Sequence, residues 1–497
     1  MTATRFSMLK AMSTSEFRPC SFHFLSVSEH ALMIVKSGLN PSSFLLGSGK
    51  NRFLLIVARL PSCHDLLRVR HESLRANNQD VCCAQFGVQN PITPRLFLGA
   101  HDSPSFFASF PLPLPPSLSQ RYLCNVDCEN YPDSCISEKL YMRQAELLVS
   151  EGYASAGYDT VSVDDCWSTF ERDPVTRQQV ADPVRFPNGI KALANYVHGL
   201  GLKFGFYSDI GTHTCGGYVG MADHLEIDAQ TFASWGVDYL KVDGCYEDVA
   251  QMDAHYSALS GYLNATGRPI VYSCSWPAYI TPDHGEANDG AILNRLSEIC
   301  HTWRNFDDVE DSWASVQGVI DWWKRSDTSD PFIAVARPGS FNDADMLMLG
   351  NNGLSHSEER TQFALWAIFS SPLFMSNNLA TVSSESKKIL LNKEIIAVNQ
   401  DSSGRQGILL FQEDHGINGL IRIWAKELED KSFAIALQNG GTMGAGIKIT
   451  FKPELVGWAS GSTFKVEDLF EHKELGEFKE ILFMVEPSNV EMIRVVQ

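Results

Sequence analysis

Aspartate side chains stand at the ends of several short apolar segments in the middle of the chain. In YLKVDGCY (239–246), a run rich in β-branched and aromatic residues stops at Asp243. Similar segments end on the other candidates, which are Asp164 with Asp165, Asp209 and Asp308. Carboxyl groups facing each other across a cleft can hydrolyse a glycosidic bond, since one attacks or activates water and the other protonates the leaving oxygen. A lone aspartate would more often cap a helix, but several at strand ends favour chemistry.

Asp243 and Asp308 are the best candidates for a catalytic pair, because they end strands that lie two apart in the count. Lys241 precedes Asp243 by two residues, so both side chains face the same side of the strand. A nearby ammonium keeps a carboxylate ionised, as a nucleophile requires. Asp308 then needs a raised pKa to act as the acid. Asp164 and Asp165 offer acceptors for sugar hydroxyls.

A metal site is the alternative interpretation of the same acidic residues. Asp164 and Asp165 could hold a cation together with His213. A single histidine without a second one in a matching position is usually structural, and no C-x₂-C pair recurs along the chain. We therefore predict a protein that uses no metal and no other cofactor.

Strands and helices alternate through the region that carries these aspartates, which predicts a parallel sheet. The predicted strands lie in 160–167, 203–210, 238–245, 269–276, 302–308, 332–338 and 373–379. Eight such strands close a (β/α)₈ TIM barrel, in which catalytic groups lie at the carboxyl ends of the strands. One strand is lacking in this count. It should precede the helix that begins near residue 137, so the first strand is either missing or replaced.

The pattern changes on both sides of the barrel, which we assign to residues 121–404. Short strands in 405–497 predict a C-terminal antiparallel β-sandwich domain. Residues 1–120 show no sustained period and no signal peptide. The run SFFASFPLPLPPSLSQ (105–120) resembles a translated pyrimidine tract that ends in a splice acceptor. We therefore expect 1–120 to be unrelated to the domains that follow, either disordered or an error of the gene prediction, with a proline-rich linker as the alternative.

Charge and cysteine content restrict the setting in which the protein works. The net charge of −19 over 497 residues argues against nucleic acid or an anionic membrane as the main partner. No apolar run approaches the roughly 20 residues that span a bilayer. Eight of the 12 cysteines lie between Cys124 and Cys300, which suggests up to four disulfides and an oxidising compartment, with reduced thiols as the alternative. Asn264, in the sequon NAT, is a candidate glycosylation site.

Seven motifs that recur in order resemble glycoside hydrolase family 27, the retaining α-galactosidases and α-N-acetylgalactosaminidases. They are CNVDCENYPDSCISEKLYM, VDDCW, ADPVRFPNGIKALANYVH, DAQTFASWGVDYLKVDGCY, YSCSWPAY, WRNFDDVEDSW and SSPLFMSNNL. The likeness is close over residues 122–407 and looser beyond them. It departs where the family has Met-Gly-Trp in its first strand, and again in VARPGSFNDADM (335–346).

The resemblance implies a role for each matching position. Asp243 would be the nucleophile and Asp308 the general acid/base. The implied sugar-pocket residues are Asp164, Asp165, Tyr207, Lys241, Ser275, Ala278, Tyr279, Arg304 and Met346. The implied disulfides are Cys124–Cys166, Cys128–Cys135, Cys215–Cys245 and Cys274–Cys300. The family also implies a lysosomal homodimer that acts on glycolipids and glycopeptides.

The stretch SCSWPAY bears on the substrate. Ser275 and Ala278 occupy positions where the α-galactosidases of the family have Glu and Leu, which fill the space beside the sugar's 2-substituent. Serine and alanine leave room for an acetamido group, so the resemblance favours an α-N-acetylgalactosaminidase that also accepts galactose, because a pocket rejects a smaller analogue only modestly. An α-galactosidase is the nearest alternative. A catalytically inactive sugar-binding barrel is favoured if 1–120 is genuine.

Overall fold

The structure, a computed structural model, describes residues 124–280, 290–416 and 419–497 in full. Before residue 124 it describes only the backbone of five short strands. Residues 1–79 and 80–497 form separate units. In the first unit, two antiparallel pairs form between β1 (Phe22–Val27) and β2 (His30–Val35), and between β3 (Leu45–Ser48) and β4 (Asn51–Leu54). The other expectations for 1–120 lie outside the described residues.

A parallel sheet of eight strands positions the aspartates. Its strands are β5 (Leu96–Leu98), β6 (Tyr158–Ser162), β7 (Lys203–Asp209), β8 (Tyr239–Asp243), β9 (Val271–Cys274), β10 (Thr302–Arg304), β11 (Phe341–Asp343) and β12 (Leu373–Met375). They pair in chain order from β5 to β11, and β12 pairs with β5. A parallel bridge between Leu347 and Met375 brings the two edges together. The predicted TIM barrel is confirmed.

Helices follow the strands and cover the outside of this sheet. They are α1 (Glu138–Ser150), α2 (Tyr153–Ala156), α3 (Ile190–Gly199), α4 (Leu225–Trp235), α5 (Met252–Ala265), α6 (Trp276–Ile280), α7 (Gly290–Ile299), α8 (Trp313–Trp322), α9 (Pro331–Ala334), α10 (His356–Ile368), α11 (Ser384–Leu390) and α12 (Lys393–Asn399). In α1, the Ser137 hydroxyl accepts the Leu140 N–H and caps the helix. Tyr141, Ala145 and Leu148 recur at helical spacing and are buried.

Two strand assignments change with the structure. Leu96–Leu98 takes the position of the first strand, between β6 and β12, so this strand is replaced and not missing. The strand predicted over 332–338 is wrong, since α9 begins there and the strand is β11. The Asp330 carboxylate caps α9 by accepting the Phe332 N–H, and Pro331 occupies the first turn, where a missing N–H costs nothing.

The C-terminal region is antiparallel, as predicted. Its strands are β13 (Ile408–Asp414), β14 (Leu420–Glu427), β15 (Phe433–Asn439), β16 (Ile447–Phe451), β17 (Phe464–Asp468), β18 (Lys473–Phe478), β19 (Ile481–Val485) and β20 (Val490–Val496). Six of them form one sheet and β16 pairs with β19. The buried Lys426 ammonium contacts the Val398 carbonyl at 2.6 Å and joins this region to α12. The boundary at 404/405 stays a prediction.

Among the helices that the structure describes, none has the length and apolarity needed to cross a membrane.

Candidate active site

The carboxyl ends of neighbouring barrel strands gather the predicted site residues at one rim. Because the strands are parallel, residues at their ends meet at the same side of the barrel. These residues are Asp164 and Asp165 after β6, Tyr207 in β7, Lys241 and Asp243 in β8, Ser275 after β9, Ala278 and Tyr279 in α6, Arg304 in β10, Asp308 after it, and Met346 after β11. Hydrogen bonds and ion pairs join most of them into two clusters.

The first cluster surrounds the Asp243 carboxylate. The Tyr279 hydroxyl donates to its Oδ1 at 2.6 Å, the Gly244 N–H donates to the same oxygen at 3.1 Å, and the Tyr207 hydroxyl donates to Oδ2 at 3.4 Å. Burial, and then the charge of Asp243, raises the pKa of Tyr279 well above its usual value. Burial likewise raises the pKa of Tyr207. Both phenols therefore stay protonated, and uncharged donors hold the carboxylate in one orientation.

Lys241 lies between the carboxylates of the rim. Its Nζ contacts Asp164 Oδ2 at 3.1 Å and stands 5.2 Å from the centre of the Tyr207 ring. Burial lowers the pKa of Lys241, but the charges of Asp164 and Asp243 outweigh it and the net shift is upward. The ammonium is therefore permanent. Its direct partner is Asp164, whereas the sequence suggested that it acts mainly on Asp243.

Asp165 faces a loop from the next strand. Its Oδ2 accepts the Gly216 N–H at 2.7 Å. Burial raises the pKa of Asp165 to about 6, although this hydrogen bond favours the ionised form. Burial also raises the pKa of Asp164, against the opposing charge of Lys241. The two adjacent carboxyl groups thus lie in a dry environment, where hydrogen bonds to a ligand gain strength.

The second cluster surrounds the Arg304 guanidinium, which is buried. Arg304 contacts Asp308 at 2.8 Å and Asp345 at 2.9 Å. The Asp308 side chain is 90% exposed, whereas the Arg304 side chain is only 9% exposed. Displaced water raises the pKa of Asp308, but the charges of Arg304 and then Lys241 lower it by more, so the net shift is downward. The expectation of a raised pKa for this carboxyl is therefore wrong.

Three buried aspartates of the rim were missed or left without a role by the sequence analysis. Asp345 binds Arg304 and accepts the Val309 N–H at 2.8 Å. Asp343 ends β11, and burial raises its pKa to about 6. Asp209 accepts N–H groups from two loops beside Asp243. The acidic pair in FNDADM could have indicated Asp343 and Asp345. The strand was predicted over 332–338, however, so their position at a strand end was not recognised.

The residues expected to select the substrate lie in one turn. Ser275 is buried directly after β9, and the Ala278 N–H donates to its carbonyl at 3.1 Å. Ala278 is half-buried and precedes Tyr279 in α6. Met346 is buried next to Asp345, and its carbonyl accepts the Gln362 amide. Chain position brings these three residues to the rim, whereas hydrogen bonds and ion pairs join the members of the two clusters.

Disulfides crosslink the barrel region, and they include bonds between loops of the rim. The four bonds are Cys124–Cys166, Cys128–Cys135, Cys215–Cys245 and Cys274–Cys300, the same pairs that the resemblance implies. Cys215–Cys245 ties the loop after β7 to the loop after β8, next to Asp243. Asn264 is exposed near the end of α5, and its glycosylation stays a prediction. His213 contacts Thr212 and the Tyr246 ring, so its described partners are not the aspartates of the alternative metal site.

Comparison with known proteins covers both parts of the chain. The family model described as alpha galactosidase A matches residues 117–401, and that of the alpha galactosidase C-terminal beta sandwich domain matches 418–495. Alpha-galactosidase A of Homo sapiens is 48% identical over 326 residues, which are 65% of this chain and 73% of that protein. Alpha-N-acetylgalactosaminidase of Gallus gallus is 42% identical over 378 residues, 75% of this chain and 90% of that protein.

A solved structure of an alpha-galactosidase is also similar to this chain. The alpha-galactosidase I of Mortierella vinacea is 31% identical, with a TM-score of 0.65, and the match covers 76% of this chain and 95% of that one. The chain is thus similar to enzymes of two activities, and overall identity does not separate them.

Proposed function

The chain belongs to glycoside hydrolase family 27, and on that basis we propose that it is a retaining exo-glycosidase for terminal α-N-acetylgalactosamine, with weaker activity on α-galactose. The observation that carries the proposal is the pairing of a carboxylate oriented by neutral donors, Asp243, with a second, accessible carboxyl at the same rim, Asp308. Two carboxyl groups suffice for this hydrolysis, and no cofactor is required.

The reaction proceeds in two displacements. An Asp243 oxygen attacks the anomeric carbon while the bond to the leaving oxygen breaks, and that oxygen takes the proton of Asp308. The Asp308 carboxylate then removes a proton from water, which attacks the same carbon and releases Asp243. Lys241 with Asp164, and Asp165 on the same strand end, offer donors and acceptors for the sugar hydroxyls.

The stereochemistry of the product tests this mechanism. Proton NMR recorded during the first minutes of hydrolysis should detect the α-anomer of the free sugar before mutarotation. A first product with the β-anomer would contradict a covalent intermediate on Asp243 and would make Asp308 and Asp243 an inverting pair.

The substrate preference rests on Ser275 and Ala278, whose small side chains leave space at the sugar's 2-position. We expect kcat/KM to be higher for nitrophenyl α-N-acetylgalactosaminide than for nitrophenyl α-galactoside. The double variant S275E/A278L should reverse the preference by loss of the acetamido space, with S275T/A278S as a control that changes volume little. A wild-type preference for the galactoside would reject this choice and leave the α-galactosidase alternative, which the relatives of that activity support.

A sugar-binding barrel without catalysis is the alternative of another class. The first strand is Leu-Phe-Leu and carries no tryptophan, unlike the first strand expected from the family. Calorimetry with N-acetylgalactosamine, together with an assay of turnover, separates the two functions. Binding without turnover by the full chain would favour the alternative.

We further infer a lysosomal homodimer that acts on glycolipids and glycopeptides. The four disulfides support folding in an oxidising compartment, and the exposed Asn264 is open to glycosylation there. Light scattering of the purified protein tests the dimer. Co-localisation of the tagged full chain with a lysosomal marker tests the location.

A further inference from the structure

Two exposed aromatic rings stand on loops at the rim of the barrel. Phe170, in the loop after β6, is 62% exposed, and Tyr246, in the loop after β8, is 60% exposed. Single exposed apolar residues are ordinary on a protein surface. These two differ because one hairpin between them, residues 211–220, supports both rings.

One residue from each strand of the hairpin contacts one of the two rings. Tyr218 stacks on Phe170 with ring centres 4.4 Å apart and planes 12° from parallel. His213 meets the Tyr246 ring at 5.6 Å and 64°. His213 also pairs with Val219, the neighbour of Tyr218, across the hairpin. The two supported rings therefore belong to one surface, the aromatic rim, which we define as Phe170, Tyr218, His213 and Tyr246.

The aromatic rim is continuous with the candidate active site. The tip of the hairpin binds Asp165 through the Gly216 N–H at 2.7 Å, and the Cys215–Cys245 bond fixes the hairpin to the loop that follows Asp243. The backbone of Tyr246 has a φ of 56°, a conformation that a tyrosine adopts only when its surroundings impose it.

Gly211 explains how this backbone is held. A Cβ atom on Gly211 would lie 2.1 Å from the Cys245 carbonyl oxygen and 2.8 Å from the Tyr246 carbonyl carbon. The two loops therefore pack backbone against backbone at this point. The Tyr246 ring is exposed, yet its main chain cannot drift away from the pocket.

We propose that the aromatic rim is a leaving-group subsite, in which Phe170 and Tyr246 bind the neutral sugar to which the cleaved residue is attached. This inference rests on the proposed exo-glycosidase function, because an exo-acting pocket holds the terminal sugar and the rest of the glycan must pass over the rim. The apolar C–H face of a pyranose packs on an aromatic ring and loses contact with water.

The charges around the rings favour a neutral occupant. Glu171 follows Phe170 and is exposed, and Asp248 lies two residues after Tyr246 and is also exposed. These carboxylates would repel an acidic sugar or a phosphate. Two separate rings suit a glycan, which offers two points of contact, better than they suit one continuous alkyl chain.

The test compares substrates that share a terminal sugar and differ in the leaving group. We would measure kcat/KM for a disaccharide glycoside, for the α-glycosyl fluoride, whose leaving group has no ring, and for the octyl glycoside. The double variant F170A/Y246A should lose about 10-fold to 100-fold on the disaccharide and change little on the fluoride. Retaining the rings in F170Y/Y246F should restore the disaccharide rate, and Y262A, which removes an exposed ring from α5, should change neither rate.

The other outcomes separate a failure of the subsite from a failure of the proposed function. Equal losses on disaccharide and fluoride, or no loss on either, would overturn the subsite and leave the proposed function intact. A loss confined to the octyl glycoside would overturn it in favour of a lipid occupant. If the wild-type protein hydrolyses none of the substrates, the proposed function is wrong. Calorimetry then decides the subsite, since F170A/Y246A must reduce the affinity for the disaccharide and spare that for the monosaccharide.

Discussion

The two candidate catalytic carboxyl groups are held by opposite kinds of partner. Asp243 ends a buried strand and accepts hydrogen bonds from the neutral hydroxyls of Tyr279 and Tyr207. Asp308 lies on a loop, is open to the cleft, and contacts the Arg304 guanidinium. Neutral donors fix the direction of an attacking oxygen, whereas a cation also determines the protonation state. The structure thus fixes the orientation of one carboxyl and tunes the charge of the other.

This difference predicts how activity depends on pH. Arg304 and Lys241 lower the pKa of Asp308, so the acid form required for the first step is present only at low pH. As pH rises through that lowered pKa, Asp308 loses its proton and the rate must fall. We expect the basic limb of the pH profile of kcat/KM to have its midpoint below neutrality. A kcat/KM that rises up to pH 8 would contradict the assignment of Asp308 as the acid.

Replacing the nucleophile should have the largest effect. D243N keeps the shape of the side chain and its place among the tyrosines but removes the attacking charge. We expect kcat to fall by about 10⁴-fold or more, with an unchanged melting temperature. Hydrolysis of the nitrophenyl glycoside measures the effect, and activity within 10-fold of the wild type would remove Asp243 from this role.

Replacing the acid should have a smaller effect that depends on the leaving group. D308N should lower kcat/KM by about 10²-fold to 10⁴-fold on a disaccharide, whose leaving alkoxide needs a proton. The loss should be far smaller on the glycosyl fluoride, because the fluoride ion leaves without a proton. Equal losses on both substrates would show that Asp308 acts only in binding, and D307N, at the preceding exposed residue, is the matched control.

Loss of a neutral donor should cost less still. Y279F removes the 2.6 Å hydrogen bond to Asp243 but keeps the ring in place. A hydrogen bond to a charged group is worth about 1.5 to 3 kcal/mol, so kcat should fall by roughly 10-fold to 100-fold. Because a neutral group is removed, the pH profile should keep its basic midpoint. A shifted midpoint would contradict the distinction between Asp243, which is held in orientation, and Asp308, whose charge is tuned.

Much of the barrel could be predicted from the sequence because strand-end aspartates in parallel strands must meet at one rim. The prediction located Asp243 and Asp308 on β8 and after β10 without coordinates. It also gave β9, since the predicted segment 269–276 contains four β-branched or aromatic residues and therefore carries a clear pattern.

The errors have physical causes. FIAVA in 332–338 has strand composition, but Asp330 and Pro331 start a helix there, and β11 has only three residues, too few for a pattern. The same brevity hid Leu96–Leu98. The partner of each charge was also beyond prediction, because Lys241 reaches Asp164 and Arg304 reaches Asp345 through side-chain geometry that spacing does not encode.

The smallest expected effect tests how charge is shared around Arg304. Asp345 and Asp308 bind the same guanidinium, so the negative charge of Asp345 opposes ionisation of Asp308. D345N keeps the acceptor for the Val309 N–H but removes that charge. The pKa of Asp308 should then fall further, and the basic midpoint of kcat/KM should move down by about half a pH unit. D343N, at a buried carboxyl that is not among the described ion-pair partners of Arg304, should move it less. No shift in D345N would mean that Asp345 is already protonated where Asp308 titrates, and an upward shift would contradict the sharing of Arg304 between the two carboxyl groups.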